Sequence, residues 1–109
     1  MSDISYRPVV LESPFKGDEQ RNKAYLDECI HDCIINHEDA PMASHKLYID
    51  SLDDSDDTER AIGIKCGLTW GQFADACIVY VDYGISKGMQ KGIDHYRAMG
   101  IPIIERRLY

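Results

Sequence analysis

The run Ala76-Cys77-Ile78-Val79-Tyr80-Val81 constrains this chain most: six residues without a charge, ending in Asp82-Tyr83-Gly84. A strand with one wet face alternates apolar and polar residues, whereas an unbroken apolar strand needs cover on both faces. Such strands belong to parallel sheets with helices above and below, and the rest of the chain fits that plan. Val9, Val10 and Leu11 read as a first strand between Pro8 and Ser13-Pro14. Asp18 is placed to cap a helix, with Glu19 suiting its positive end. Apolar residues from Ala24 to Ile34 recur at three- and four-residue spacing and carry that helix to about Asn36. Pro41 to His45 suggests a brief buried strand. Asp57 or Thr58 opens a second helix through Trp70 and Phe73. Ser86 caps a third, running from Lys87 to about Met99 and closed by Gly100. Ile101 to Ile104 reads as a last strand, and the tail Glu105 to Tyr109 is expected to leave the domain. Strands alternating with helices predict an α/β domain with right-handed crossovers and a mostly parallel sheet of about four strands flanked by three helices. At 109 residues the chain has room for one core, so a single domain over 1–109 is expected.

Charge narrows the function. Nineteen acids oppose twelve Lys and Arg, a net charge of −7, and six of those acids lie between Asp50 and Glu59. That acidic insert contains no Lys or Arg, so the remainder carries 13 acids against 12 bases, net −1. Nucleic acid binding needs a basic face, and none is visible, so no nucleic-acid partner is expected. No apolar run approaches the 18–20 residues of a membrane span, and no membrane partner is expected. The first eight residues lack the apolar core of a secretion signal. Four cysteines without such a signal predict reduced thiols in a cytoplasm. Cys29 and Cys33 flank His31 at helical spacing, but no second pair completes a zinc site, and no metal or other cofactor is expected.

Ligands of parallel sheets sit beyond the carboxyl ends of the strands, at the switch in strand order. This nominates the loop at Ser13 to Gly17, the Ser44-His45 region, and Asp82 to Gln90. Gly84, Ser86 and Gly88 at a strand-to-helix turn can offer free N–H groups and a hydroxyl to an anion such as phosphate. They can equally be a turn glycine, a cap and a packing glycine, with Met89 following. Ser13-Pro14-Phe15 can present a hydroxyl and an aromatic face to a planar ligand, or simply end a strand. Arg21 and Asn22 face either the pocket or solvent. Asp82 points into the site or bonds its own loop. His45 stands as a polar group at the expected second strand's end.

The order Val-Leu-Glu-Ser-Pro-Phe, Gly-Asp-Glu-Gln-Arg-Asn-Lys-Ala-Tyr, an Asp before an apolar strand, Gly-Ile-Ser-Lys-Gly-Met and Met-Gly-Ile-Pro-Ile resembles the nucleoside 2-deoxyribosyltransferase-like superfamily. The resemblance runs from about Pro8 to Ile104, omits the acidic insert, and is closest to small bacterial and phage members. It implies a flavodoxin-like (Rossmann-like) fold, homo-oligomers in which the tail reaches a neighbouring protomer, and a nucleotide-like small-molecule ligand. It also implies phosphate on Ser86, and a base and sugar pocket shaped by Ser13, Pro14 and Phe15 with Asp18 to Asn22. Asp75 takes the largely structural place of the aspartate before the buried strand. The family glutamate that supports N-glycosidic bond cleavage is implied four residues after Gly88, which is Gly92. A second carboxylate is implied eight residues before Asp75, which is Gly67. A glycine can neither trap nor stabilise an oxocarbenium-like state. Gln90 is no carboxylate, and Asp94 points about 200° away from position 92 on the same helix. Asp82 or Glu12, from the strand ends, are the carboxylates left to substitute.

Three expectations follow. The first is a nucleotide-binding protein with the base or sugar near Phe15 and His45. The second is an N-glycosidic hydrolase or transferase using Asp82 or Glu12. The third is an oligomeric interaction module. The acidic insert is expected to form a rim or lid that repels a bare phosphate unless a cation intervenes.

Overall fold

The computed structural model describes residues 5–48, 51–53 and 55–109. Four strands, β1 (Arg7–Glu12), β2 (Asp39–Met42), β3 (Ala76–Tyr80) and β4 (Ile103–Arg106), form one all-parallel sheet in the order β2-β1-β3-β4. The helices are α1 (Glu19–His37), α2 (Ser44–Leu47), α3 (Asp57–Gly71) and α4 (Lys87–Ala98). The flavodoxin-like α/β plan is therefore present, with one helix more than expected.

Connection order decides which face each helix covers. The chain steps from β1 to β2 in one direction and from β3 to β4 in the other, so right-handed crossovers place α1 and α4 on opposite faces. The β2-to-β3 crossover passes over β1 in the same sense as β3 to β4, which puts α3 on the α4 face. Two core clusters record this division. Val9, Leu11, Ile78 and Tyr80 pack with Tyr25, Leu26, Cys29 and Cys33 of α1. Val10, Cys77 and Val79 pack with Met89, Ile93 and Tyr96 of α4, and Leu68 of α3 joins them. All five residues of β3 are buried, as the unbroken apolar run requires.

Capping sets the helix starts. Asp18 accepts from the Arg21 N–H at 3.1 Å, Asp56 from the Thr58 N–H at 2.9 Å, and Ser86 from the Met89 N–H at 3.2 Å. Each satisfies an N–H that helix geometry leaves without a backbone partner.

Four expectations are corrected. The second strand begins at Asp39, earlier than Pro41, because Asp39 is fully buried between Arg7 (Nε to Oδ1, 3.2 Å) and Arg106 (Nη2 to Oδ2, 2.8 Å). Ser44 and His45 do not continue it; they open the single turn α2. The last strand begins at Ile103 rather than Ile101, since Pro102 offers only its carbonyl, which accepts from the Cys77 N–H at 2.8 Å. The tail does not leave the domain. Arg106 belongs to β4, Leu108 packs on the α1-side core, and the Tyr109 hydroxyl donates to Glu28 at 2.5 Å. Of the acidic insert, Asp50 and Asp54 lie outside the described residues.

Candidate functional site

Strand order reverses between β1 and β3, and the cleft opens there. It encloses about 730 Å³ between α3 and α4, above the end of β1, with α2 and the Phe15 loop on its far side.

Glu12, at the end of β1, lines this cleft. Side chains alternate along a strand. Val9 and Leu11 face α1, so Val10 and Glu12 face α4. There the Glu12 carboxyl lies against the bare backbone of Gly92. A Cβ built on Gly92 would stand 2.7 Å from Glu12 Oε2, 2.9 Å from Cδ and 3.0 Å from Oε1. The space a side chain at position 92 would grow into is thus occupied by the carboxyl of residue 12. Burial, with no cation against it, pushes the Glu12 carboxyl up to about 8, because the charged form is poorly solvated. Glycine at position 67 has a matching reason: a Cβ there would collide with the Ser44 side chain of α2. Gly71 likewise makes room for the Tyr96 ring, which lines the cleft beside Gly92.

His45 enters from α2. Its Nε2 and the hydroxyl of buried Ser13 are 3.0 Å apart, and the Phe15 ring meets the imidazole edge-on at 6.3 Å between centroids. Burial pulls the imidazole down to about 4. Burial thus favours the uncharged form of both groups, the protonated acid at Glu12 and the neutral imidazole at His45. Asn22 does not line the cleft. Its side-chain amide donates to the carbonyls of Phe15 (3.0 Å) and Lys16 (3.1 Å), fixing the loop that does. Asp18 acts as a cap, and Pro14 is buried in the same loop.

At the start of α4, Gly84 takes φ +83°, a left-handed turn that frees the following residues to enter the helix. Ser86 caps, while the Met89 side chain is buried in the core with its sulfur 3.5 Å from the Ser86 nitrogen. A Cβ on Gly88 would meet nothing within 4 Å, so the backbone there is open to the cleft. The N–H groups of Lys87 and Gly88 belong to the first turn and have no carbonyl to reach. Lys16, Arg60, Lys87 and Lys91 line the same cavity. Of the expected acidic rim, three of the described acids bond within the insert or cap α3. Asp53 accepts from Ser55, Asp56 caps α3, and the Glu59 carboxylate, which does reach the cleft, accepts from the Asp53 N–H at 3.1 Å.

Asp82 stands elsewhere. Its parity on β3 is that of Ile78 and Tyr80, so it faces α1. Its Oδ1 accepts from the Tyr25 hydroxyl at 2.5 Å, and both oxygens take the N–H groups of Leu108 and Tyr109 at 3.0–3.1 Å. Burial works against its ionised form, but these hydrogen bonds outweigh it and hold the carboxyl below the usual range. Arg21 lies over the Tyr83 ring at 4.1 Å, on the same side as Tyr25. Of the two strand-end carboxyls, Glu12 alone belongs to the cleft.

Arg60, Lys91 and Tyr96 were not singled out by the sequence. The spacing of Gly88, Gly92 and Tyr96 at four-residue steps was the available signal, since it places all three on one stripe of α4. Among the described residues, no three His, Cys, Asp or Glu side chains come together as a metal-ligand group, and no helix is long and apolar enough to cross a membrane.

No curated protein matches the chain. Among solved structures, a 2-deoxyribosyltransferase from the psychrotolerant bacterium Bacillus psychrosaccharolyticus superposes with a TM-score of 0.67 at 16% identity, covering 92% of this chain and 72% of that one. At that identity the likeness shows a shared α/β fold. A family model, the domain of unknown function DUF7768, matches residues 7–106, and the chain belongs to that family.

Proposed function

We propose that the cleft cleaves the N-glycosidic bond of a nucleotide, with Glu12 as its working carboxyl. What supports this reading is the Glu12 carboxyl lying in the space left by Gly92. The anion sits at the Ser86–Gly88 start of α4 with Lys87 and Lys16, and the base lies toward Phe15 and His45. Glu12 is neutral at pH 7 and gives its proton to the departing base as the C1′–N bond breaks. The carboxylate so formed faces the oxocarbenium-like sugar at the moment its positive charge develops, an interaction absent from the ground state. Water then adds to C1′ and returns a proton to Glu12, so the products are the free base and the sugar phosphate.

Base release from the common ribo- and deoxyribonucleoside 5′-monophosphates, measured by chromatography, tests this. E12Q is expected to lower the rate about a hundredfold or more, and D82N, corrected for folded fraction, to leave it nearly unchanged. Equal rates for E12Q and the parent protein would reject the assignment. A second reading, binding without turnover, rests on Glu12 being uncharged at neutral pH and so unable to act as a ready nucleophile. Nucleotides that raise Tm while no base is released would select it.

A further inference from the structure

We propose that the cleft carries a second anion subsite, formed by Arg60 of α3 and Lys91 of α4, and that its ligand is a nucleotide with a diphosphate rather than a single phosphate. The nucleoside part of this statement rests on the reading above; the subsite does not.

The distribution of cations carries it. Of the twelve Lys and Arg, Arg7, Lys46, Arg97 and Arg106 form ion pairs, and Arg21 lies over the Tyr83 ring. Seven remain (12 − 4 − 1), and four of these, Lys16, Arg60, Lys87 and Lys91, line the one cleft. None of the four makes an ion pair among the described residues, although the chain has nineteen acids to offer. The two acids that line the cleft make no ion pair with them among the described residues: the Glu12 carboxyl lies against Gly92, and Glu59 accepts from the Asp53 N–H. In a protein of net charge −7, four of the seven remaining cations line the same cavity, and Lys23, Lys65 and Arg107 lie outside it.

Their placement divides them into two pairs. Lys87 opens α4 directly after Ser86, where a first phosphate would sit, and Lys16 lines the same cleft from the loop after β1. Arg60 is three residues into α3 and Lys91 four residues into α4. Both helices lie on the same face of the sheet, and these two exposed side chains line the cleft from its α3 and α4 walls. The positive ends of both helices reinforce them. The cavity also has the room. At about 730 Å³ it lies in the upper half of the roughly 300–1,000 Å³ usual for small-molecule sites. A guanidinium on one wall and an ammonium on the other are the groups that would hold a second phosphoryl group.

Calorimetric titration of the whole chain with inorganic phosphate, inorganic pyrophosphate and matched nucleoside 5′-mono- and diphosphates tests the subsite. Pyrophosphate and the diphosphates are expected to bind about tenfold tighter than their single-phosphate counterparts. R60A/K91A should erase that preference and leave monophosphate affinity in place. K23A/K65A, which removes the same charge elsewhere, should keep it. Equal affinities in the parent protein, or a preference that survives R60A/K91A, would overturn the proposal. Monophosphate binding without a diphosphate preference overturns the subsite alone. A pyrophosphate preference lost in R60A/K91A, with no response to any nucleotide, supports the subsite and overturns the nucleoside reading.

Discussion

Two neighbouring strands end side by side at the switch point, and each delivers a carboxyl there, Glu12 from β1 and Asp82 just beyond β3. Their environments are opposite. Asp82 is tied by the Tyr25 hydroxyl and two tail N–H groups and is held in its charged form. Glu12 is pushed up to about 8 by burial against a glycine. The difference comes from strand parity and partners rather than residue type. One face of the sheet turns a carboxylate into a latch for the C-terminal tail; the other leaves an acid with a proton to give. Structural ties lower a pKa and bind a group to one task, while desolvation without a partner stores reactivity at a cost in stability.

The strongest way to break this contrast is at Gly92. G92A places a methyl group inside contact distance of the Glu12 carboxyl and forces it to move. Overpacking of this kind costs about 1–3 kcal/mol, and base release should fall about a hundredfold, measured alongside Tm. G88A, where nothing stands within 4 Å, should leave Tm unchanged or slightly raised.

pH sharpens the contrast through opposite signs. Glu12 has a folded pKa near 8 and an unfolded value of 4.5, so the folded state holds a proton the unfolded state has lost over that window. Its penalty is absent below pH 4.5 and grows as pH rises toward 8. E12Q should therefore be stabilised over the parent protein by a margin that widens from pH 5 to pH 8. Asp82, whose folded value is lowered, contributes stability above its unfolded value of 3.8 that is lost as pH falls through the folded one. D82N should therefore be less stable than the parent protein by a constant margin above pH 3.8, a margin that closes as pH falls through the folded value. Urea unfolding across pH separates the two curves.

D82A leaves the Tyr25 hydroxyl and two N–H groups without an acceptor and should cost about 2 kcal/mol. Base release per folded molecule should stay within a few-fold. The smallest expected change is S13A, which removes one partner of His45 and should lower stability by about 1 kcal/mol.

Much of the fold was legible because its signals are local. The unbroken β3 run, the Asp18 and Ser86 caps and the periodicity of α1 each state an element in a few adjacent residues. What escaped depends on contacts distant in sequence. Asp39 lies outside the strand expected from Pro41 until Arg7 and Arg106 close on it, and Ser44 reads as strand until α2 fills the space over Gly67. The site was half legible. Glu12 and Asp82 stood as equals by position alone, although the alternation of Val9, Val10, Leu11 and Glu12 already assigned Glu12 to the face of α4. No local pattern could tell that Gly92 and Glu12 occupy one place, because that statement joins a strand end to the middle of a helix eighty residues on.

The most direct measurement is an NMR titration of the two side-chain carboxyls in the folded protein. Glu12 is expected to titrate near 8, and Asp82 below 3.8. A Glu12 midpoint near the ordinary 4.5 would mean that its carboxyl is solvated rather than buried against Gly92, and it would contradict the assignment of Glu12 as the neutral acid of the cleft.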